Sequence, residues 1–241
     1  MTTKPVKTET AAHRLPPLPS PPKMDMEQTR HFVLPGIPGT LAAHLNAIIP
    51  GSTTLVGGNG YLCRRRSDLP RWPYPDLLIS FNVDWEDVLF TNGYVYVIEE
   101  AGKPPDLVLE IGSSSTGRRN YIARREIYAG FGVTEYWRFD HTGGRYHDVP
   151  LACDLLTPDG IYQPMALTTE PDGVVWAYSE VLGLSVCWVE GRLRFWDRVQ
   201  QRYLPGQREQ AAELAEAQAR AETAEARIRL LEEELRSMET P

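Results

Sequence analysis

The segment between Pro105 and Asp140 constrains the fold of this 241-residue chain most. It begins with an apolar run, Leu107–Ile111, that has the length of a short β-strand. A small polar segment follows at residues 113–116, and a helix is predicted over residues 119–131, ended by a glycine, Gly132, that suits a left-handed cap position. Residues 135–140 form the next predicted strand. A strand, a helix and a second strand are therefore expected to follow one another here.

Two carboxylates lie at the first of these strands. Strand side chains repeat with period two, so Asp106 and Glu110 are expected to point to the same face. Ionised carboxylates on one face repel each other and are costly to remove from water unless a cation joins them. An earlier copy of the pattern, Pro75-Asp76, places a third carboxylate at the head of another apolar strand. We therefore expect a metal site or an active site more than a packing role.

The rest of the chain predicts short elements. Before the carboxylate strand we expect a helix at 41–49, capped by Thr40, strands at 54–56, 61–65, 77–82 and 94–99, and a hairpin at the glycine-rich residues 57–60. Beyond Asp140, short strands are predicted at 162–167, 174–177, 184–189 and 192–197. Glu190-Gly191 stands where a tight hairpin turn joins the last two strands. These strands predict an antiparallel accessory sheet that packs on the core.

Composition and charge limit the class of protein. Hydrophobic residues make up 42% of the chain, which is enough for a globular core, and no apolar run approaches membrane-spanning length. Cys63, Cys153 and Cys187 lack metal-type spacing and predict reduced thiols, so a cytoplasmic protein is expected. Residues 1–30 are Pro-rich and predict a disordered leader, residues 31–205 a globular domain, and residues 206–241 a C-terminal helix.

The C-terminal helix carries a heptad pattern. Small or apolar residues recur at alternating steps of three and four: Leu214, Ala217, Ala221, Ala224, Ile228, Leu231, Leu235 and Met238. In a parallel pair of helices, Arg220 would face Glu225 of the other copy, and Arg227 would face Glu232. Two alternatives remain open. The helix forms a coiled coil that makes the protein a homo-oligomer through residues 214–238, or it folds back on its own domain.

Together these motifs resemble the Uma-two family, whose members are restriction-endonuclease-like proteins of the PD-(D/E)XK nuclease superfamily. The residues that carry the resemblance are Pro75-Asp76, Pro105-Asp106-Leu-Val-Leu-Glu110-Ile-Gly-Ser113-Ser-Ser-Thr116 and Arg125-Glu126-x-Tyr128-x-x-x-Gly132-Val133-x-Glu135-Tyr136-Trp137. The resemblance covers about residues 34–204. It implies an α/β fold with a restriction-endonuclease-like core of the type αβββαβ, a mixed sheet flanked by helices. The accessory sheet and the long C-terminal coiled-coil helix are expected in addition to that core.

The resemblance also implies a site. Carried onto this chain, Asp76 and Glu110 are the catalytic carboxylates that bind Mg²⁺ or Mn²⁺. The usual motif has a Lys two residues after the Glu, where this chain has Gly112. The family instead places a Lys on the following helix, with an Asp one turn earlier. Those two positions hold Arg124 and Asn120 in this chain.

Arg124 is accordingly expected to contact the phosphate of DNA, because a guanidinium stays protonated and cannot act as a base. Asn120 and Asp106 are assigned supporting roles, although Asp106 fits turn capping equally well. Two functions remain open from the sequence: a metal-dependent endonuclease that hydrolyses DNA phosphodiester bonds, or a catalytically inactive nuclease-fold scaffold or binding module that is oligomerised by its coiled coil. The Lys-to-Arg and Asp-to-Asn departures favour the second function.

Overall fold

The structure is a computed structural model that describes residues 33–49, 51, 53–58, 60–68, 72–83, 95–113 and 118–239, without the side chains of 118–121, 207 and 233–239. The predicted leader, residues 1–30, lies outside the described residues. In chain order the elements are α1 (Ile37–Ile48), β1 (Thr54–Gly57), β2 (Tyr61–Cys63), a 3₁₀ turn (Arg66–Asp68), β3 (Leu77–Phe81), β4 (Val95–Val97), α2 (Ile98–Ala101), β5 (Leu107–Ile111), α3 (Arg118–Phe131), β6 (Glu135–Phe139), β7 (Leu151–Leu156), β8 (Tyr162–Pro164), β9 (Thr168–Thr169), β10 (Val175–Ser179), β11 (Leu184–Val189), β12 (Arg192–Asp197), β13 (Arg202–Tyr203) and α4 (Gln207–Glu239).

Six strands form the main sheet in the order β1-β3-β5-β6-β7-β8. Strands β5 and β6 run parallel and are joined by α3, whereas the other neighbouring pairs run antiparallel. All five residues of β5 are buried, as expected for a central strand that is covered on both faces. The main sheet, with α1 before it, gives the αβββαβ order that the resemblance implied.

A second, antiparallel sheet of order β13-β12-β11-β10-β9, here called the accessory sheet, packs on one face of the main sheet. The shared core contains Leu107, Leu109 and Trp137 from the main sheet together with Val186 and Phe195 from the accessory sheet. Side chains alternate between the two faces of a strand, so every second residue of β5 and β6 enters this core. The residues between them point to the opposite face of the main sheet.

Helix α3 covers the opposite face of the main sheet. Tyr128 of α3 packs there with Val108 of β5 and Tyr136 of β6, and all three are fully buried. A two-stranded parallel sheet of β2 and β4 contributes Leu62 and Tyr96 to the same cluster. The predicted fold class is therefore confirmed: a mixed α/β sheet with helices, an antiparallel accessory sheet and a long C-terminal helix.

Buried Glu135 on β6 ties the two sheets together. Its carboxylate accepts hydrogen bonds from Trp137 Nε1 at 2.7 Å, from Ser179 Oγ at 2.5 Å and from the Val181 backbone N–H at 3.1 Å. Ser179 ends β10 of the accessory sheet, so one side chain links a central strand of the main sheet to the neighbouring layer. A buried carboxylate is tolerated where several donors satisfy it, and this one has three.

The structure differs from the sequence-based expectations at several places. Strand β7 was not predicted, because its sequence Leu-Ala-Cys-Asp-Leu-Leu contains a charged residue, Asp154, that is buried only through long-range ion pairs. The predicted strand at 94–99 ends at Val97, and a helical turn that ends at a left-handed glycine follows. The predicted hairpin at 57–60 does not form, since β1 pairs with β3 and β2 with β4. Helix α1 begins at Ile37, so Thr40 lies inside it.

Among the side chains of the long helix α4 that the structure describes, those that contact the rest of the protein lie near its start. The backbone N–H of Gly206 donates to Glu209 Oε2 at 2.6 Å, and Gln210 Nε2 donates to Thr40 Oγ1 at 2.7 Å. Every side chain described from 211 to 232 is exposed, including Leu214 and Ile228. This stretch therefore does not fold back on its own domain. Among the described helices, none combines the length and apolar character needed to cross a lipid bilayer.

We predict that Glu135→Ala lowers the free energy of unfolding by about 3 kcal/mol or more, since three buried donors lose their acceptor. The measurement is urea unfolding followed by tryptophan fluorescence. Glu180→Ala is the control, because Glu180 is exposed beside the same contact and is expected to change stability by less than about 0.5 kcal/mol. Equal effects of the two substitutions would contradict the role of Glu135.

Candidate active site

Asp76 and Glu110 face each other across two neighbouring strands. The antiparallel register pairs Leu77 with Leu109 and Leu78 with Val108, so one step further Asp76 stands opposite Glu110. Residues directly opposite in an antiparallel pair have Cβ atoms about 5 Å apart and point to the same face. That face is the one that α3 covers, and the exposed fractions of Asp76 and Glu110 are 1% and 5%.

The backbone around Asp76 fixes its position. Asp76 Oδ2 accepts the Ile111 N–H at 2.7 Å, so its carboxylate is bound to the end of the strand that carries Glu110. On its other side Gly58 approaches the Asp76 carbonyl so closely that a Cβ atom at Gly58 would lie 2.7 Å from the Asp76 oxygen. Only glycine fits at that position without a shift of backbone.

Glu110 is held by two groups of α3. Arg124 forms an ion pair with Glu110 Oε1, and Tyr128 Oη donates to the same oxygen at 2.5 Å. Although burial works against the charged form of Arg124, the carboxylate of Glu110 raises the pKa of this guanidinium above its ordinary value. Burial, with the negative charge of Glu110, raises the pKa of Tyr128 well above its ordinary value. Arg124 therefore stays a cation and Tyr128 a neutral donor.

Further charged and polar groups of the same face surround this pair. Arg138 of β6 stands opposite Glu110 in the parallel register, and its Nη2 lies 3.3 Å from Asp154 Oδ2. Arg125 Nε lies 3.0 Å from the other oxygen of Asp154. Tyr136 Oη is buried and makes no hydrogen bond with the residues that the structure describes. Neither Arg138 nor Asp154 was predicted as a residue of the site. Strand alternation with Tyr136 could have indicated Arg138, whereas no local signal marks Asp154.

A side chain at position 112, where the usual motif has a Lys, would be crowded by its neighbours. A Cβ atom at Gly112 would lie 3.1 Å from Tyr146 Cβ and 3.3 Å from the Cγ and Nδ1 atoms of His147. The loop that carries these residues is anchored on Asp140, whose Oδ2 accepts the N–H groups of Tyr146 at 2.6 Å and His147 at 2.9 Å. Burial lowers the pKa of His147, so a neutral imidazole packs where a side chain at position 112 would extend.

Neither of the two predicted supporting residues is seen beside Glu110: Asp106 lies at the other end of β5, and the side chain of Asn120 is not among those described. Asp106 Oδ2 accepts Lys103 Nζ at 2.6 Å and the Phe81 N–H at 2.8 Å, at the end of β5 remote from Glu110. These are the contacts of a residue that joins a turn to a strand. Asn120 lies in the first turn of α3, and its side chain is outside the described part.

Two further basic residues, Arg65 and Arg66, form ion pairs within the protein. Arg65 Nε lies 2.5 Å from Glu99 Oε1, and Arg66 forms an ion pair with Glu100. Arg65 and Arg66 follow β2, and Glu99 and Glu100 belong to α2. The cationic groups that the structure brings to the carboxylates are instead those of α3 and β6.

The arrangement offers hard oxygen donors beside fixed cations. Asp76 and Glu110 supply carboxylate oxygens, which are the ligands that Mg²⁺ prefers. In the part of the chain that the structure describes, no group of three or more His, Cys, Asp or Glu side chains is placed to hold a metal ion. A cation bound here would thus rest on two protein carboxylates, as is usual for Mg²⁺ ions that keep several waters.

Comparison with protein families decides what kind of protein carries this site. The family model Uma2, described as "Putative restriction endonuclease", matches residues 37–186, which is more than half of the chain. The chain belongs to the Uma2 family. The resemblance drawn from the motifs is thereby confirmed, and the matched range includes Asp76, Glu110 and Arg124, whereas β12, β13 and α4 of this Uma2 protein lie beyond it.

Among the solved structures that match this chain is one that is similar in part. It is a crystal structure of "a putative nuclease belonging to DUF820" from Anabaena variabilis, with 13% sequence identity and a TM-score of 0.40. The similarity covers 66% of this chain and 77% of the other. No curated protein matches the Uma2 chain.

We predict that Arg124→Met lowers the free energy of unfolding by about 3 to 5 kcal/mol, because it leaves the Glu110 carboxylate buried without its cation. The double variant Glu110→Gln/Arg124→Met is expected to recover a large part of that loss, since no charge remains unpaired. Urea unfolding of both single variants and the double variant measures the coupling. Glu126→Gln, an exposed change on the same helix, is the control. Additive effects of the two substitutions would contradict an energetically coupled pair.

Proposed function

We propose that this Uma2 protein is a metal-dependent endonuclease that hydrolyses DNA phosphodiester bonds, with residues 31–205 as the nuclease-like domain. The observation that supports it most is the position of Asp76 opposite Glu110 on adjacent strands, with Arg124 directed at the pair from α3. Restriction-endonuclease-like proteins generally use divalent metals, and membership of the Uma2 family adds to the proposal.

In this proposal Asp76 and Glu110 hold Mg²⁺ or Mn²⁺. The two residues fit such an ion by their chemistry, since both are hard oxygen donors and Mg²⁺ is commonly bound through one or two carboxylates together with phosphate oxygens. Bound there, the ion would lower the pKa of a coordinated water and offset the negative charge of the phosphate.

Arg124 is the proposed phosphate contact. A guanidinium can donate two parallel hydrogen bonds to a phosphate and stabilise the charge that develops on it. In the structure the same group pairs with Glu110, so it would exchange a carboxylate oxygen for a phosphate oxygen when DNA arrives. Tyr128 would continue to orient Glu110 through its hydroxyl. Asn120 and Asp106 keep their proposed supporting roles.

A second candidate is an inactive nuclease-fold scaffold or binding module. Arg124 and Tyr128 already occupy Oε1 of Glu110, and both carboxylates are more than nine-tenths buried. A carboxylate neutralised from within the protein needs no metal ion to be stable. The replacement of Lys by Arg on α3 supports this candidate as well, because it removes a group that can give up a proton.

We predict that the purified full-length protein nicks supercoiled plasmid DNA in the presence of Mg²⁺ or Mn²⁺, and that Glu110→Ala abolishes this. Agarose gels of the plasmid at successive times measure the conversion of supercoiled to nicked DNA, and a reaction with EDTA is the metal-free control. Glu126→Ala is the matched control, since Glu126 is exposed on the helix that carries Arg124. If wild type and Glu110→Ala are equally silent with every divalent metal, the scaffold function replaces the nuclease.

We also propose that α4 makes the protein a homo-oligomer through residues 214–238, as a parallel coiled coil. The seam residues whose side chains are described are exposed rather than packed on the domain, and helices bury such seams by pairing. Opposite charges at Arg220 and Glu225, and at Arg227 and Glu232, would align across the pair. We place the protein in the cytoplasm, where its three buried cysteines would stay reduced.

Multi-angle light scattering of the full-length protein tests the coiled coil. We predict a mass above that of one chain, 27.2 kDa, and a shift towards one chain for the double variant Ile228→Glu/Leu231→Glu. Leu230→Glu is the matched control, because Leu230 is 60% exposed like its neighbours but lies off the seam. A monomeric wild type, or an equal effect of Leu230→Glu, would remove the proposed assembly.

A further inference from the structure

The outer face of the accessory sheet carries a groove lined with aromatic residues. Along β10, Ala177 and Ser179 are buried, whereas Trp176 and Tyr178 alternate with them and remain partly exposed on the other face. The same alternation places Trp196 of β12 on that outer face. The groove has a volume of about 310 Å³, which lies at the lower end of the range for small-molecule pockets. Its lining residues are Glu170, Asp172, Val174, Trp176, Ser185, Cys187, Trp196, Arg198 and Tyr203.

The groove is separate from the candidate active site. The inner residues of the accessory sheet pack on the face of the main sheet that is remote from α3, whereas Glu110 lies on the α3 side. The main sheet and the accessory sheet, packed about 10 Å apart, therefore stand between the two regions. A ligand in the groove would touch none of the residues assigned to catalysis.

The rings in the groove are held in position and present flat surfaces. Trp196 and Tyr203 are in edge-to-face contact with centroids 5.0 Å apart. The guanidinium of Arg198 lies 4.1 Å from the ring centroid of Tyr178 and 5.4 Å from that of Trp176, and its Nε donates to Ser185 Oγ at 3.2 Å. Rigid aromatic surfaces on a sheet, flanked by arginine, are how many proteins stack unpaired bases of a nucleic acid.

Two carboxylates stand among these rings. Glu170 Oε1 accepts Trp176 Nε1 at 2.8 Å, and Asp172 Oδ1 accepts the Val174 N–H at 3.1 Å. Each of these bonds uses one of the two oxygens of its carboxylate, and a carboxylate can accept further hydrogen bonds. A ligand that combines a flat ring with an amino group matches both the stacking surfaces and these acceptors.

We propose that this groove binds an unpaired base of single-stranded DNA, with preference for a base that carries an exocyclic amino group. Arg194 and Arg202 border the groove and pair with Glu209 and Glu213 of α4 in the structure, so each would exchange its carboxylate for a phosphate of the bound strand. A quaternary ammonium ligand fits less well because Arg198 already places a cation over the rings. The choice of nucleic acid over an aromatic peptide rests on the proposed nuclease function.

Binding of twelve-nucleotide homopolymers to the full-length protein in EDTA tests the proposal, because stacking requires no metal. Cytosine carries an amino donor and thymine does not, so oligo-dC is expected to bind about tenfold more tightly than oligo-dT and to quench the tryptophan fluorescence. Anisotropy of labelled oligonucleotides gives the dissociation constants. Asp172→Asn is expected to bring the two affinities together, since the substitution replaces one acceptor oxygen by an amide donor.

Substitutions of Trp196 provide a second test of the proposal. Trp196→Leu is expected to weaken binding of oligo-dC about tenfold and Trp196→Phe much less, because the phenyl ring still stacks. Val199→Ser is the matched control, since Val199 is 92% exposed in the turn after β12 and outside the groove.

The proposal is overturned if oligo-dC binds no better than oligo-dT, or if Trp196→Leu binds as the wild type does. If the protein binds oligo-dC through Trp196 but cuts no plasmid, the proposed base-binding groove stands and the proposed nuclease function fails. The two proposals can therefore be tested separately.

Discussion

The ion pair between Arg124 and Glu110 is the interaction on which the arrangement of the central sheet and α3 depends. Glu110 lies in the middle layer of the protein, where an unpaired carboxylate would be costly, and Arg124 and Tyr128 bring a cation and a donor to it from the helix. The pair therefore fixes how α3 sits on β5. It also lies where we propose that a metal ion and a phosphate bind, so packing and proposed chemistry use the same groups.

The position of that cation follows from the neighbouring loop. The loop anchored on Asp140 brings Tyr146 and His147 against Gly112, so any side chain two residues after Glu110 would crowd both and require them to shift by a few tenths of an ångström. A cation can reach Glu110 from the helix instead, and in this chain it does so from Arg124. The loss of a Lys at position 112 and the presence of Arg124 are thus parts of one steric arrangement.

The sequence predicted those parts of the fold that local patterns determine. Strands β5, β11 and β12 have the predicted bounds, because each is a short apolar or alternating run between turn residues. The turn at Glu190-Gly191 follows from two residues with positive φ, 50° and 79°, where glycine is favoured. Strand β7 could not be predicted in this way, since its buried Asp154 depends on Arg125 and Arg138, which are distant in sequence. The contact of His147 with Gly112 is equally invisible, because it depends on how a loop folds over the sheet.

The charges of the candidate site connect its two possible functions. Asp76 and Glu110 bring two negative charges, and Arg124 compensates one of them without any ligand. With Asp154 and its partners Arg125 and Arg138 counted, the charges of the site already balance. A divalent cation alone would therefore leave an excess of positive charge in a nearly closed site, whereas a phosphate that enters with it would offset part of that excess and give Arg124 a new partner. Metal and DNA are therefore expected to enter this site together more readily than either enters alone. A Lys at position 124 would carry the same charge but could give up a proton, whereas the Arg keeps a permanent cation on Glu110 and so favours the ligand-free state. The balance between an enzyme and a binding module in this chain thus depends on how strongly one guanidinium holds one carboxylate.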